Sequence, residues 1–376
     1  MPRVSRPGPN QSDSPHPMVT APAVPVLGSG AVMLTVRPSA ASMCTPQYVA
    51  TRPIDSYAAT VRIHSEAVVR HVPARVGLVG NPSDGYGGAV LGTVVPGLGA
   101  TVTAEPAEGV QFGDGERRII SAALQTLVDH VARTTGGRER GVRLTWTTNI
   151  PRSVGLAGSS ALAVGVIDAT AALWNIPLDP RVVAALALSA ERDVLGIAAG
   201  WQDRIIQSFG CSLLVDAAVM EVVDDWSVPT VTTLTPTTDE RSMSLLLGWN
   251  EATATTSEEY HGALRTSSTS LAAPMQVLAG LARDAARAFS AGDVDGVARA
   301  VDDGWTLRQS CAPLRADHAD LVEMVRASGL AATTPGSGGA AVAVCTDDES
   351  AITRATGSLA DAGCAWKRFD VPFGHP

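Results

Sequence analysis

The chain has 376 residues, of which 45% are hydrophobic and 17% are charged. This composition provides enough apolar side chains for a buried core in two lobes and excludes a chain that is disordered throughout. The formal net charge is −9 and no basic run occurs, so we expect no binding to nucleic acid or to an anionic membrane. No apolar run reaches the roughly 18 residues that a membrane-spanning helix needs.

The cysteines bear on the location of the protein, and the basic residues bear on how its motifs are recognised. The five cysteines are scattered and none forms a CxxC pair. We therefore expect neither a disulfide framework nor a zinc site, and we expect a cytoplasmic location, where thiols stay reduced. Lys367 is the only lysine and all other basic residues are arginines, so a motif that normally carries lysine is expected to lack it here.

The N-terminal segment differs in composition from the rest of the chain. Of the 24 prolines, 10 fall within residues 1–53. Proline fixes φ and removes a backbone donor, so such a stretch sustains neither a strand ladder nor a long helix. We predict that residues 1–58 are a disordered extension, without a signal peptide because prolines interrupt its apolar stretches.

The sequence after this extension mixes strand and helix patterns. Short apolar or alternating stretches predict strands at residues 74–80, 89–95, 100–104, 141–150, 340–345 and 364–371. Apolar residues at helical spacing predict helices at residues 117–134, 161–174, 179–195, 274–290, 294–310, 316–328 and 348–362. Because the elements do not repeat as regular βαβ units, the pattern favours an α+β architecture in two lobes.

A glycine- and serine-rich stretch, PRSVGLAGSS, joins a predicted strand to a predicted helix at residues 151–160 and is called the central loop. Gly155 and Gly158 allow a ligand to approach the backbone closely, and the N-terminus of the following helix is an anion site suited to phosphate. Ser159 and Ser160 are placed to cap that helix or to turn a hydroxyl toward phosphate or Mg²⁺. Taken alone, the same pattern is equally typical of a tight turn, and it is not a Walker A motif.

Two further segments favour a phosphate-binding loop over a simple tight turn. The opening turn, NPSD at residues 81–84, follows the first predicted strand, and the late loop, TPGSGG at residues 334–339, precedes an apolar strand. In this order the three segments resemble those of the GHMP small-molecule kinases, over the chain from residue 74 to its end. Two departures are visible: Arg75 stands where that family usually has lysine, and Pro335 is inserted before the glycines of the late loop.

Within the family, three stretches look like the glucuronokinases, which phosphorylate glucuronic acid at C1. They are RVGLVGNPSDGYGG, NIPRSVGLAGSSA and GIAAGWQDRIIQSFG, beginning at residues 75, 149 and 196. The resemblance implies a two-lobed GHMP kinase fold, with an N-terminal lobe like ribosomal protein S5 domain 2 and a ferredoxin-like C-terminal lobe. It places the ATP-binding lobe at residues 59–225 and the second lobe at residues 226–376.

The resemblance also assigns roles to individual residues. In isolation, Asp203 is best explained as a helix cap, but the resemblance makes it the base that accepts the sugar hydroxyl proton, with Arg75 beside it. It implies ATP and Mg²⁺ as cofactors, with Ser160 and Glu191 as metal ligands. The implied ATP-binding residues are Pro151, Gly155, Leu156, Ala157, Gly158, Ser159, Ser160, Ala161, Gly336, Ser337, Gly338 and Gly339. The residues expected at the sugar acid are Asn81, Ser83, Asp84, Tyr86, Gln202, Arg204 and Arg308.

Other functions remain open at this stage. The acceptor could be galacturonate, a neutral sugar or a heptose phosphate, and the fold also serves sugar sensors and diphosphate decarboxylases. Retention of Asp203, Glu191 and the serine pair argues against a sensor, and the few basic residues around the acceptor site argue against a decarboxylase, whose substrate is polyanionic. We expect a small-molecule sugar acid and ATP as partners, and a monomer or homodimer.

Overall fold

The computed structural model describes residues 66–137, 140–236, 241–253 and 271–375. The prediction of a disordered extension at residues 1–58 lies outside these ranges. Among the helices in the described ranges, none is both long and apolar enough to cross a membrane.

The larger sheet has six strands, in which β2 is central and pairs with β1, β4 and β5. All its pairings are antiparallel except that of β3 with β4. The strands are β1 (Val68–Val79), β2 (Ala89–Pro106), β3 (Val110–Phe112), β4 (Val142–Thr148), β5 (Leu213–Val223) and β6 (Trp226–Thr233). The strand β2 is long enough to pair with β5 at residues 89–92 and with β4 at residues 100–106. The two short strands predicted at 89–95 and 100–104 are therefore a single element.

Four helices accompany this sheet: α1 (Arg118–Thr135), α2 (Gly158–Leu173), α3 (Pro180–Ser189) and α4 (Gln202–Phe209). The helix α2 packs on β1 and β2 and touches α1, α3 and α4. Its surroundings explain why it is apolar on nearly all sides. The predicted helix at 179–195 is split, because α3 continues into a π-helical turn at Ala190–Val194.

The smaller sheet is antiparallel and has four strands in the order β11-β8-β10-β9. Its strands are β8 (Ser242–Trp249), β9 (Ala331–Thr333), β10 (Ala340–Cys345) and β11 (Ala365–Pro372). The helices of this half are α5 (Ala272–Ala291), α6 (Val294–Cys311), α7 (Ala316–Arg326) and α8 (Glu349–Asp361), and a short pair joins β7 (Thr235–Pro236) to β12 (Gly374–His375). The α+β class in two lobes is confirmed.

The two sheets divide the chain later than the sequence suggested. We placed the lobe boundary between residues 225 and 226, but the strand β6 pairs with β5 in the larger sheet. The larger sheet therefore continues to Thr233. The turn between β5 and β6 consists of Asp224 and Asp225, both at positive φ, and the strand pattern on its two sides was not recognised. The assignment of whole lobes at residues 59–225 and 226–376 stays a prediction.

Candidate active site

Arg75 joins two of the loops that the sequence singled out, the central loop and the late loop, to Asp203. Its buried guanidinium donates from Nη1 to the carbonyl oxygens of Gly155, in the central loop, and of Pro335, in the late loop, at 2.7 Å each. Its Nε donates to Asp203 Oδ1 at 2.7 Å, and Nη2 lies 2.6 Å from the same oxygen. The planar fork of arginine makes such shared donation possible. Two residues that sequence reasoning paired, Arg75 and Asp203, are thus in direct contact.

Asp203 lies in the first turn of α4, and its side chain is 18% exposed. While Oδ1 accepts from Arg75, Oδ2 lies 3.3 Å from Arg204 Nη1. The carboxylate is held between two guanidinium groups and still reaches the surface. Such a group can accept a proton from a ligand hydroxyl, because it is oriented and accessible at once.

The central loop is open to the surface and its backbone is unusual. Ser153, Gly155 and Ala157 have φ of 56°, 78° and 61°. Helix α2 begins at Gly158 with Ala157 at its N-cap and no side-chain cap. The expectation that the serines cap α2 is therefore wrong, because they lie inside its first turn. Since the first N–H groups of a helix have no intrahelical acceptor, this turn can bind an anion.

The two serines of α2 differ in their surroundings. Ser159 is exposed, whereas Ser160 is buried and donates from Oγ to Gln207 Oε1 at 2.6 Å. Of the other predicted ATP-binding residues in this loop, Leu156 and Ala161 are buried and Pro151 is half-buried. Gly155, Ala157 and Gly158 are half-buried and Ser159 is exposed, so solvent reaches this part of the loop, and its predicted contact with ATP stays a prediction.

The late loop is buried throughout and hydrogen-bonded on several sides. The carbonyl of Pro335 accepts from Arg75 and from the N–H of Gly77, the latter at 3.0 Å. A Cβ at Gly336 would lie 2.3 Å from the Gly155 carbonyl oxygen, so the two loops touch through backbone atoms. Gly336, Ser337, Gly338 and Gly339 are buried, and Gly336 lies against the central loop; their predicted contact with ATP stays a prediction. The inserted Pro335 supplies a carbonyl that binds Arg75.

The polar side chains of the opening turn point to protein partners. Asn81 Nδ2 donates to the Gly336 carbonyl at 3.0 Å, and Asn81 Oδ1 accepts from Gln202 Nε2 at 2.8 Å. Ser83 Oγ donates to the Ala89 carbonyl at 2.9 Å. Asn and Ser often bind neighbouring backbone in this way. Their predicted contact with the sugar stays a prediction, and so does that of Tyr86, which is 38% exposed.

Asp84 caps α4 across the fold. Its Oδ2 accepts from the N–H groups of Trp201 and Gln202 at 2.7 and 2.9 Å. Burial raises the pKa of this carboxyl, the two amides oppose that rise, and the nearby charge of Asp203 adds to it. A Cβ at Gly200 would lie 2.4 Å from Asp84 Oδ2, so the cap needs a glycine there. Asp84 thus fixes the helix that carries Asp203.

The remaining predicted cations also have protein partners. Arg204 forms a buried ion pair with Glu191 and donates from Nη1 to the Gly200 carbonyl at 2.9 Å. Burial, with the charge of Arg75, lowers the pKa of Arg204 to about 9, so it remains a cation at neutral pH. Arg308 is buried and donates from Nη2 to the Gly336 carbonyl at 2.9 Å. The predicted contact of Arg204 and Arg308 with a substrate carboxylate stays a prediction.

The residues around the central loop suit the phosphates of ATP, whereas they offer few ligands for a metal ion. The first turn of α2 begins at the half-buried Gly158 and suits phosphate oxygens, and Ser160 adds a buried hydroxyl oxygen in the same turn. In the described ranges, no group of three or more His, Cys, Asp and Glu side chains could hold a metal ion. Mg²⁺ commonly takes only one or two protein oxygens when substrate phosphates supply others. Glu191 is buried and paired with Arg204, and the role of Ser160 and Glu191 as metal ligands stays a prediction.

One residue of the site was missed by the sequence reasoning. Gln207 is buried in α4 and contacts both β1 and the central loop. The signal was available, since Gln207 lies four residues after Asp203 and therefore on the same face of the helix. Gln207 directly follows the buried Ile205 and Ile206, and a buried polar side chain needs hydrogen-bond partners.

Comparison with known proteins finds both a family model and named relatives. Residues 119–211 match the family model of the GHMP kinases N terminal domain. The chain is 26% identical over 327 residues to a protein named probable glucuronokinase 2 from Arabidopsis thaliana, which covers 74% of this chain and 84% of that protein. It is 30% identical over 165 residues to glucuronokinase 1 of the same plant, covering 36% and 45% of the two chains. The chain thus spans less than half of the second relative.

The fold also matches solved structures. The Streptococcus pneumoniae phosphomevalonate kinase in complex with phosphomevalonate and AMPPNP superposes with a TM-score of 0.67 at 14% identity. The match covers 80% of this chain and all of that one. At this identity the likeness concerns the fold alone, and it confirms the expected two-lobed architecture. The resemblance stated from the three loops is likewise confirmed by the family match.

Proposed function

Because this chain carries a GHMP kinase N-terminal domain and has the fold of these kinases, we propose that it transfers the γ-phosphoryl group of ATP to the C1 hydroxyl of D-glucuronate. The observation that carries the proposal is the contact of Asp203 with Arg75, which also holds the central and late loops. Arg75 thereby connects an oriented carboxylate to the loop that leads into the N-terminus of α2. Phosphoryl transfer depends mainly on such positioning and on charge stabilisation.

In the proposed reaction Asp203 accepts the proton of the C1 hydroxyl. The oxygen of that hydroxyl bonds to the γ-phosphorus, and the bond to the ADP oxygen breaks. Arg75 orients the carboxylate through Nε and Nη2 and stabilises negative charge at the attacking oxygen. The first turn of α2 binds phosphate oxygens through its N–H groups.

Mg²⁺ would be held by Ser160 and Glu191, where it would neutralise charge on the phosphates. The chain's own contribution is to aim the Ser160 hydroxyl and to hold Glu191 next to Arg204. The buried position of both side chains limits water around them. We propose these two residues as the protein ligands.

The choice of a uronic acid is supported by the likeness to two plant proteins named as glucuronokinases. The arginines predicted at the substrate carboxylate, Arg204 and Arg308, both have partners within the protein. Galacturonate, a neutral sugar and a heptose phosphate therefore remain alternative acceptors. The oligomeric state and the cytoplasmic location stay predictions.

The test is ADP release with Mg²⁺ and ATP across glucuronate, galacturonate, glucose, galactose and a heptose phosphate. We expect glucuronate to be preferred and glucose, which lacks the carboxylate, to be much poorer. Equal rates on glucose and glucuronate would reject the sugar-acid assignment and leave the kinase intact. Binding of a sugar and ATP without any ADP release would instead support a sensor.

A further inference from the structure

Gln207 links the elements that carry the proposed chemistry. From α4, its Nε2 donates to the carbonyl of Pro73 in β1 at 3.1 Å and to the carbonyl of Ala157 in the central loop at 2.9 Å. Its Oε1 accepts from Ser160 Oγ at 2.6 Å. The side chain is only 3% exposed. One amide thus connects the helix of Asp203, the strand of Arg75 and the first turn of α2.

The donor and acceptor count fixes the orientation of this amide. A glutamine amide has two N–H donors on nitrogen and an acceptor oxygen. Both donors of Gln207 have carbonyl acceptors, since carbonyl oxygens cannot donate. A flipped amide would place its oxygen against the carbonyls of Pro73 and Ala157, leaving buried acceptors facing one another. The oxygen of Gln207 must therefore face Ser160.

The orientation of Gln207 in turn fixes the Ser160 hydroxyl. A serine hydroxyl has a single hydrogen and two lone pairs. The hydrogen is committed to Gln207 Oε1, so the lone pairs of Oγ point away from Gln207. In that state Ser160 is an acceptor or a cation ligand and cannot donate to phosphate.

We propose that Gln207 is a positioning residue that presents the lone pairs of Ser160 to the metal–nucleotide. The inference rests on the proposed function, in which Ser160 is a metal ligand. Partners of a metal ligand that fix its orientation often matter almost as much as the ligand itself. Gln207 acts through Ser160 and touches no reacting atom.

The test is a double-mutant cycle that measures binding and needs no turnover. The dissociation constant of the ATP analogue AMPPNP is measured by calorimetry with and without Mg²⁺, and the ratio of the two values is the metal-dependent gain. We expect Gln207→Met and Ser160→Ala each to lower this gain by about 10-fold. In the Ser160→Ala background, Gln207→Met should lower it by less than about 2-fold, because the two residues act as one unit.

Two controls separate positioning from stability. Thr93→Val removes a buried hydrogen bond to Ser212 that involves none of the three loops and should lower the unfolding temperature without changing the gain. Gln207→Glu keeps an acceptor for Ser160 and loses both donated hydrogen bonds. Gln207→Glu should retain the metal-dependent gain within about 3-fold of the wild type even if it is as unstable as Gln207→Met. If Gln207→Met does not fold, Gln207→Glu alone is compared with the wild type.

The outcomes distinguish this inference from the function on which it rests. An unchanged gain in Ser160→Ala would remove the metal role of Ser160 and with it that part of the proposed function. A loss in Ser160→Ala with no loss in Gln207→Met overturns only the positioning role. If Gln207→Met lowers the gain equally with and without Ser160, or if Gln207→Glu lowers the gain as much as Gln207→Met does, the effect is due to anchoring of the central loop. Either result also overturns the positioning role.

Discussion

The central and late loops are both glycine-rich and meet at the same arginine, yet they are built differently. The late loop is buried at every residue, and its Pro335 and Gly336 carbonyls accept from Arg75, Gly77, Asn81 and Arg308. The central loop is mostly half-buried or exposed, and the helix α2 begins there without a side-chain cap. The late loop therefore acts as a support, and the central loop is the surface that a ligand can reach.

A high glycine content does not by itself show that a loop binds a ligand. Glycine permits close approach, but the approaching group differs between the loops. At Gly336 it is the backbone of Gly155, whereas Gly158 has only Ile150 near its missing side chain, at 3.5 Å. Substitutions in the two loops should thus have opposite signatures, with stability affected in one and ligand binding in the other.

The largest effect is expected for Gly336→Ala. The added methyl would overlap the Gly155 carbonyl oxygen at 2.3 Å, and neither backbone can yield without separating the loops. We expect a loss of about 3 kcal/mol in the free energy of unfolding, measured by urea denaturation. The control is Gly280→Ala in α5, where no atom lies within 4 Å and stability should be unchanged or higher. Equal stability of the two variants would mean that the loops are not in contact.

Asp203→Asn should show the opposite signature. Asparagine keeps the shape and a hydrogen-bond acceptor for Arg75 but cannot act as a base. We expect kcat to fall about 10²-fold, while AMPPNP affinity stays nearly constant because the central loop is untouched. The loss should appear in kcat, since the interaction is needed only in the transition state. Turnover near that of the wild type would reject the base.

Arg75→Lys tests how far one guanidinium is needed to join the loops. Lysine can pair with Asp203 as a point charge, but it lacks the planar fork that serves Asp203 and two carbonyl groups together. We expect kcat to fall about 10-fold and the free energy of unfolding to fall by about 1 kcal/mol, the usual worth of a hydrogen bond. Arg75→Met should be worse in both measurements. A fully active and stable Arg75→Lys would show that the fork is dispensable.

Much of this site was predictable, because its parts are local. The glycine and serine spacing of residues 151–160 predicted a turn followed by a helix, and the order of three loops indicated the family. The Arg75–Asp203 pair followed from that family resemblance. The fold class followed from the alternation of strand and helix patterns, with errors where strands were long or separated by two aspartates.

What could not be predicted depends on contacts distant in sequence. Asp84 and Trp201 are 117 residues apart, and Arg75 and Pro335 are 260 apart. No periodicity within either segment indicates which carbonyl a side chain will reach. The polar residues of the opening turn were therefore assigned to the substrate, whereas the structure gives Asn81, Ser83 and Asp84 protein partners. The partners of Gln207 also come from three separate elements, so the sequence could indicate its helix face but not its hydrogen bonds.

The smallest effect is expected for Gly158→Ala in the central loop. Alanine favours the helix that begins there, and its methyl would have ordinary contact with Ile150, so the free energy of unfolding should change by less than about 1 kcal/mol. The methyl would, however, restrict the access of a ligand to the backbone amides in the first turn of α2. We expect AMPPNP affinity to fall about 3-fold to 10-fold, because phosphate needs close approach to these amides. Calorimetry and urea denaturation on the same preparation measure both quantities. A variant that lost stability while keeping its nucleotide affinity would reverse the contrast between the loops and make the central loop the support.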